Sequence, residues 1–424
     1  MILYQIFFAM GFTLLSPLFL YAFVRRHKWK RGLKQRFGIY PHSYAPKDPK
    51  QKTIWFHAAS VGEVGTITDL VRVLKKEQPL YKIIITTLTS TGQDLVRKKL
   101  PDEKNIYYYP FDFTFSVERA ISMFEPDFFI LVEAEIWPQL LYRLQSRAIP
   151  TAMVNVRMSK RSFRRYYFFR FFIRLFIEKM AFITVPSQEI ADQMILLGAR
   201  KDGVHITGNL KYDKPYFRVP EEGQLEKLRS GVGFDRNHMI LLCGSTHPGE
   251  EEILIRVYGA LKNQFPMMRL IIAPRHPKRS IQISAILNKS NISYEMRSML
   301  KANTVKDVLI LDTLGELEGL YAIADIVFIG KSLTKKGGQN MMEPARYAKP
   351  ILFGPHMENF REMSSVFLKE NAAIEVQDEK DLRDVVKNLM ASKAKRASLG
   401  EKAQQIWMQH SGAFDKHISI IQSL

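Results

Sequence analysis

The chain has 424 residues, a single cysteine and a formal net charge of +20, from 62 Lys and Arg against 42 Asp and Glu. That length exceeds one ordinary core and suits two domains, while the lone Cys243 excludes a disulfide framework or a cysteine metal cluster and fits a reducing compartment. The charge calls for an anionic partner, whether nucleic acid, acidic phospholipid or a phosphorylated substrate, and does not choose among them.

Residues 1–24 carry no charged side chain, and Arg25, Arg26, Lys28, Lys30, Arg31, Lys34 and Arg36 follow at once with no acidic residue among them. At 1.5 Å per residue such a run reaches across a hydrocarbon core of about 30 Å, so it reads as a transmembrane helix. A secretory signal would carry its charge first. By the positive-inside tendency this basic flank places the rest of the chain on the cytoplasmic side, with the short amino end facing outward. The alternative is a helix lying in the interface, since Gln5, Thr13 and Ser16 interrupt the run.

After this anchor, short apolar runs alternate with amphipathic stretches in the βαβ manner. Strands are predicted at 53–58, 82–87, 105–109, 128–132, 151–155 and 182–185, with helices at 63–78, 92–99 and 188–197. A polar stretch with Pro215, Pro220, Gly223 and Gly231 reads as a linker over 209–233. The alternation restarts with strands at 239–243, 269–273, 308–312, 326–329 and 350–353, and with helices at 249–264, 279–289, 316–324, near Asn340 and at 380–392. The fold class is therefore α/β: an anchor at 1–24 and two Rossmann-like, doubly wound domains at 25–208 and 234–400, facing across a cleft where ligands of such sheets bind. The G-x-G-x-x-G and G-x-x-x-x-G-K-[ST] patterns are absent, which weakens dehydrogenase and NTPase readings. No D-x-D pair exists to clamp a nucleotide-bound cation, so neither a metal nor a cofactor is predicted.

Several strand ends carry reactive side chains. Ser60, Gly62 and Glu63 stand where the first strand meets the first helix, so Glu63 reads either as a general base or as the acid of a capping box begun by Ser60. Glu133 and Glu135 follow the strand at 128–132, as a converging acidic pair or as a helix cap and an ion-pair partner. Lys211, at the linker entry, either stabilises developing negative charge or is merely solvated. In the second half, Pro274 and Arg275 end a buried strand where a guanidinium grips phosphate or carboxylate, and Ser245 and Thr246 end another with hydroxyls and backbone N–H groups. Leu314, Gly315 and Glu316, and Gly338, Asn340, Met341, Met342 and Glu343, each form a turn into a helix with an acid close by; Glu343 suits a ribose diol. The basic aromatic stretch 161–174 fits a membrane interface, single-stranded nucleic acid, or a core helix whose arginines reach outward; the anchor favours the membrane.

Taken together, the segments 59–63, 133–138, 208–211, 273–277 and 337–344 resemble, in order along nearly the whole chain, the 3-deoxy-D-manno-oct-2-ulosonic acid (Kdo) transferases of lipopolysaccharide biosynthesis. The resemblance implies a GT-B fold, with a C-terminal helix at 401–424 packing back toward the N-terminal domain. It implies CMP-Kdo as donor, a lipid A precursor (lipid IVA) as acceptor, a membrane surface and no nucleic acid as partner. It also implies inverting transfer without a bound metal. Glu63 matches the family's general base, Glu133 and Lys211 its transition-state stabilisers, and Pro274 with Arg275, 314–316 and 340–343 its CMP-binding elements. Two departures stand out: Lys331, before Ser332, occupies a position often held by a second glycine and adds a possible phosphate contact. Gln339 replaces a usual histidine. The alternatives are a heptosyltransferase or nucleotide-sugar epimerase of the same fold, or a non-enzymatic lipid-binding membrane protein.

Overall fold

The computed structural model describes residues 1–25 (backbone only for 15–25), 31–41, 51–213, 215, 217–300 and 306–423. Arg26, Lys28 and Lys30 of the basic flank, Lys214 and Tyr216 of the linker, and Leu424 lie outside the described residues. The chain divides into two compact units, Met1–Pro215 with Ser411–Leu424, and Tyr216–His410.

The first unit is built on a parallel sheet of β1 (Thr53–Ala58), β2 (Lys82–Thr87), β3 (Ile106–Tyr108), β4 (Phe128–Val132), β5 (Thr151–Val154), β6 (Phe182–Val185) and β7 (Val204–Ile206), in the order β3-β2-β1-β4-β5-β6-β7. The strands are apolar runs rather than alternating ones because both faces are covered. Along β1 and β4, Trp55, Phe129 and Leu131 point into one core, and Ile54, Phe56, Phe128 and Ile130 into the other. The second core also takes Ala413, Phe414, Ile418 and Ile421 of the last helix, Ala413–Gln422.

The second unit holds a parallel sheet of β8 (Met239–Thr246), β9 (Met268–Pro274), β10 (Tyr294–Met296), β11 (Val308–Ile310), β12 (Ile326–Ile329), β13 (Ile351–Phe353) and β14 (Ile374–Glu375), in the order β10-β11-β9-β8-β12-β13-β14. The stretch 209–233, expected to be an irregular linker, contains a helix, Glu222–Gly231, and the division between units falls within the stretch, after Pro215. A capping box joining Glu221 and Gln224 starts that helix, a signal overlooked among its prolines and glycines.

The first helix, Ile2–Arg25, forms as a single 24-residue element. Among the described residues, however, no helix is long and apolar enough to cross a membrane, so the expected span is not found. Its first half is docked on protein instead. Tyr4 O–H donates to Asp112 Oδ2 (2.8 Å), Gln5 Nε2 donates to the Asp112 carbonyl (2.8 Å), and Phe8 and Phe12 meet Phe113 edge-on at 5.0 and 5.1 Å. Of the polar side chains that interrupt the apolar run, Gln5 thus has a partner on the domain, while Thr13 Oγ1 donates to Ala9 O (2.9 Å) within the helix. Ile2, Leu3, Ile6, Phe7, Met10 and Leu14 remain exposed.

Asp112 also accepts from Gln139 N and Leu140 N, both at 2.9 Å, and so caps the helix Pro138–Ser146, whose own N-cap, Trp137, supplies no acceptor. Asp112→Ala removes the acceptor from three donors at once and should lower stability by about 2–4 kcal/mol. Tyr4→Phe removes one donor and should cost about 1 kcal/mol, both read by thermal unfolding.

Candidate functional site

At the carboxyl edge of the first sheet, β1 ends in Ala58 and the chain turns through Ser60 into the helix Val61–Glu77. Ser60 Oγ accepts from Glu63 N (3.2 Å), while the Glu63 carboxylate accepts from Ala59 N (2.7 Å) and Ser60 N (3.2 Å). The capping box is therefore real. It does not exclude chemistry, because each carboxylate oxygen keeps a further lone pair. Glu63 is buried, and burial raises its pKa above the ordinary carboxylate range against the pull of these hydrogen bonds, with Glu133 adding to the rise.

Strand β4 delivers the second group. Glu133 stands in the left-handed region at φ 62°, its N–H bonded to Val154 O (2.9 Å) at the end of β5. Its Oε1 lies 3.7 Å from Lys211 Nζ. Lys211 in turn borders Gly62, where a Cβ would come within 3.8 Å of the ammonium, so a small residue there keeps the approach open. Burial lowers the Lys211 pKa, nearby Arg157 lowers it further, and Glu133 and Glu63 oppose them.

Glu135 accepts from Trp137 Nε1 (3.2 Å), and its Oε2 lies 3.9 Å from His57 Nε2. Burial, then repulsion from Glu63 and, more weakly, Glu133, moves its pKa from 4.5 to about 7, against the Trp137 bond. His57 is fully buried and its pKa is pushed down to about 3, so it is neutral. Its Nδ1 faces the Thr86 carbonyl at 3.1 Å, which can only accept, so Nδ1 carries the hydrogen. The bare Nε2 has no hydrogen-bond partner and lies 3.9 Å from Glu135 Oε2, so the acid faces a neutral imidazole nitrogen rather than a cation. His57 was passed over in the sequence because a histidine inside an apolar strand reads as core; its place opposite the acidic pair emerges only from the pairing of β1 with β4.

The second unit gathers the other predicted residues at the carboxyl edge of its own sheet. Adjacent strands β9, β8 and β12 end there, presenting Arg275, Ser245 with Thr246, and Lys331 with Ser332. Arg275 is exposed, and its N–H donates to Thr246 O (3.0 Å). Ser245 (φ 55°) and Lys331 (φ 58°) both take left-handed backbone. This explains the departure at Lys331: glycine adopts that conformation freely, whereas a side chain there costs about 1–2 kcal/mol. The Lys331 amine lies over Gly337, within 3.0 Å of where a Cβ would stand.

Glu250, missed in the sequence as one of three acids opening a helix, organises this edge. It is fully buried and accepts from His247 N (2.9 Å), Lys331 N (2.8 Å), Ser332 N (2.9 Å) and Leu333 N (3.0 Å). Other predicted residues turn inward. Ser332 is buried with its hydroxyl between Ile329 O and Gly354 N, Thr246 Oγ1 donates to Glu251 (3.2 Å), and Met341 and Met342 lie in the core. From these four only backbone groups remain for a ligand. Glu316 pairs with Arg297 (2.8 Å) beside exposed Leu314 and Gly315 (φ 93°). Asn340 Nδ2 donates to Glu343 (3.2 Å), and its Oδ1 accepts from Met342 N (3.1 Å), starting the helix Met342–Ala345 just after Gly338. Among the described residues no cluster of His, Cys, Asp or Glu is arranged to hold a metal ion.

Residues 31–214 match a family model described as 3-deoxy-D-manno-octulosonic-acid transferase (kdotransferase). The 3-deoxy-D-manno-octulosonic acid transferase of Haemophilus influenzae is 33% identical over 403 residues, covering 94% of this chain and 92% of that protein. The chain belongs to the Kdo transferase family. It is thus similar to glycosyltransferases over nearly its full length, and the enzyme class follows from that kinship. Among solved structures, the C-terminal CMP-Kdo binding domain of WaaA from Acinetobacter baumannii is 27% identical, over 43% of this chain and 94% of that one, with a TM-score of 0.40. The UDP-GlcNAc 2-epimerase of Neisseria meningitidis, at 12% identity, covers 88% of this chain and 100% of its own with a TM-score of 0.57. That likeness is one of fold, two α/β domains with parallel sheets, and the expected GT-B fold fits it.

A carboxyl whose pKa is raised on folding contributes stability that is complete below its unfolded value and is lost as the pH rises through its folded one. For Glu135 the window runs from about 4.5 to about 7. Glu135→Gln, neutral throughout, should therefore melt close to the parent below the window and progressively higher than the parent across it. Melting temperatures of both proteins from pH 4 to pH 8 check this.

Proposed function

We propose that this Kdo transferase moves Kdo from CMP-Kdo onto a sugar hydroxyl of a lipid A precursor, lipid IVA, with inversion at the anomeric carbon and Glu63 as general base. The observation that carries this reading is the buried Glu63 carboxylate at the end of β1, its pKa raised, in an edge it shares with the Lys211–Glu133 pair. A carboxylate moved toward neutral pH is a better proton acceptor than an exposed one and still ionises. As the acceptor oxygen bonds to the anomeric carbon, its proton passes to Glu63 and the bond to CMP breaks. Positive charge developing on the sugar ring suits Glu133, and negative charge on the departing phosphate suits Lys211. On the second unit, Arg275 and Lys331 supply cations for a nucleotide phosphate, and Glu343 an acceptor for ribose hydroxyls.

We place the enzyme at the cytoplasmic face of the inner membrane, resting on it rather than released from it. Support comes from one surface of the first unit. Phe168, Phe169, Phe171 and Leu175 are exposed beside exposed Arg161, Arg164 and Arg165, and Phe172 stacks on Tyr4 of the first helix at 6.2 Å. The inner face of the same stretch, Ile173, Phe176 and Ile177, is core, which leaves the exposed aromatics and arginines of its outer face to the membrane reading. Exposed aromatics with arginines suit an anionic bilayer surface.

Glu63→Ala should keep its fold and lose about 100- to 10,000-fold in kcat. Arg275→Ala should mainly raise the KM for CMP-Kdo, by about tenfold or more. Radiolabelled transfer from CMP-Kdo to lipid IVA measures both, and a fully active Glu63→Ala protein would end the assignment of the base. Deleting residues 1–24 should reduce transfer to bilayer-embedded acceptor more than to detergent-dispersed acceptor. Equal losses would count against the membrane placement.

A further inference from the structure

The last helix, Ala413–Gln422, presents a fully buried histidine to the sheet of the first unit. His417 Nδ1 lies 2.6 Å from Ala413 O, which can only accept, so the ring hydrogen is on Nδ1 and Nε2 is bare. Nε2 then accepts the hydrogen of Thr184 Oγ1 at 2.8 Å. Burial holds the ring neutral, with its pKa pushed down to about 4. Thr184 has given away its one hydrogen, so its oxygen is free to accept, and Asn155 N donates to it at 2.8 Å. Asn155 Oδ1 in turn accepts from Leu210 N at 3.2 Å, the residue before Lys211. These bonds share one polarity from Ala413 to Leu210, although Thr207 Oγ1 also lies 3.4 Å from His417 Nε2 and Asn155 Nδ2 is buried without a partner; Asn155 stands at φ 53°, left-handed backbone that Asn adopts more readily than most residues.

Two further bonds tie the line to the pair it approaches. Val154 O, one residue before Asn155, accepts from Glu133 N at 2.9 Å, so one short turn after β5 grips Glu133 through its backbone and Lys211 through Leu210. On the other side of Lys211, Asp213 Oδ2 accepts from Phe414 N at 2.9 Å, at the first turn of the last helix. The loop bearing Lys211 is thus held from both sides by bonds that trace back to residues 413–417.

We propose that the C-terminal helix sets the separation of Lys211 from Glu133 through the hydrogen-bond line His417–Thr184–Asn155–Leu210, which makes His417, Thr184 and Asn155 positioning residues for the transfer reaction. The inference rests on the reading of Lys211 as a stabiliser of developing charge. A line that only braced the fold would need no consistent polarity ending beside Lys211; hydrophobic packing by Phe414, Ile418 and Ile421 already fastens this helix.

The test uses the full-length chain with detergent-dispersed lipid IVA and CMP-Kdo. Thr184→Val and His417→Leu should each lower kcat about tenfold with the KM for CMP-Kdo within about twofold, and the double variant should be no worse than either single one. His417→Gln, which restores an acceptor near the position of Nε2, should recover most of the loss. Ile418→Val, on the same helix but off the line, should lower the melting temperature and leave kcat unchanged. The deciding measurement is Thr184→Val in a Lys211→Ala background. There the further loss should vanish, because no ammonium remains to be placed. A slow Lys211→Ala protein that loses another tenfold with Thr184→Val overturns this inference alone, the line then being structural. A fully active Lys211→Ala protein removes the role assigned to Lys211, and this inference with it.

Discussion

Parallel pairing brings the carboxyl end of every strand to one edge of a sheet, and in this protein that constraint concentrates charge where solvent is scarce. Glu63, Glu133 and Glu135 arrive at such an edge from β1 and β4 alone, with Lys211 entering after β7. Three acids and one ammonium in a half-buried space cannot all keep their ordinary titration. The electrostatic consequence is a division of labour. Burial and the charge of Glu63 move the Glu135 pKa up to about 7, and a neutral Glu135 removes one of the repulsions acting on Glu63.

Four of the nine non-glycine residues at positive φ among the described residues also stand at these edges. Glu133 follows β4, Asn155 follows β5, Ser245 interrupts the end of β8 and Lys331 lies two residues past β12, all four at positive φ without being glycine. Each turn breaks the strand sharply and aims a side chain or an N–H group away from the ladder. Conformations costing about 1 kcal/mol or more persist where surrounding bonds over-determine them. Here the bonds are identifiable: Val154 O for Glu133, Thr184 and Leu210 for Asn155, and the Glu250 carboxylate for Lys331.

Strands buried on both faces were legible with almost correct ends, since runs such as Phe128–Val132 have no other way to read. The strands that escaped notice, Val204–Ile206, Tyr294–Met296 and Ile374–Glu375, are two or three residues long and only partly buried at sheet edges, where no apolar run is required. Site residues followed the same division. Acids and cations at strand ends stood out as motifs, whereas His57, Asn155, His417 and Glu250 act from inside the packing, where sequence shows only a polar residue among apolar ones. The apolar N-terminal segment marks the opposite limit. Its lack of charge was plain, but whether Tyr4 and Gln5 would meet lipid or protein depended on Asp112, more than a hundred residues away.

That aspartate links two places that share no other bond described above. Asp112 receives Tyr4 of the first helix and the two amides that open the helix following Trp137, so both draw on one carboxylate. Linkage of this kind is reciprocal. A change that frees Tyr4 from this carboxylate also alters the acceptor that starts the helix following Trp137. The first helix and the start of the helix at the acidic edge are therefore fastened at a single point.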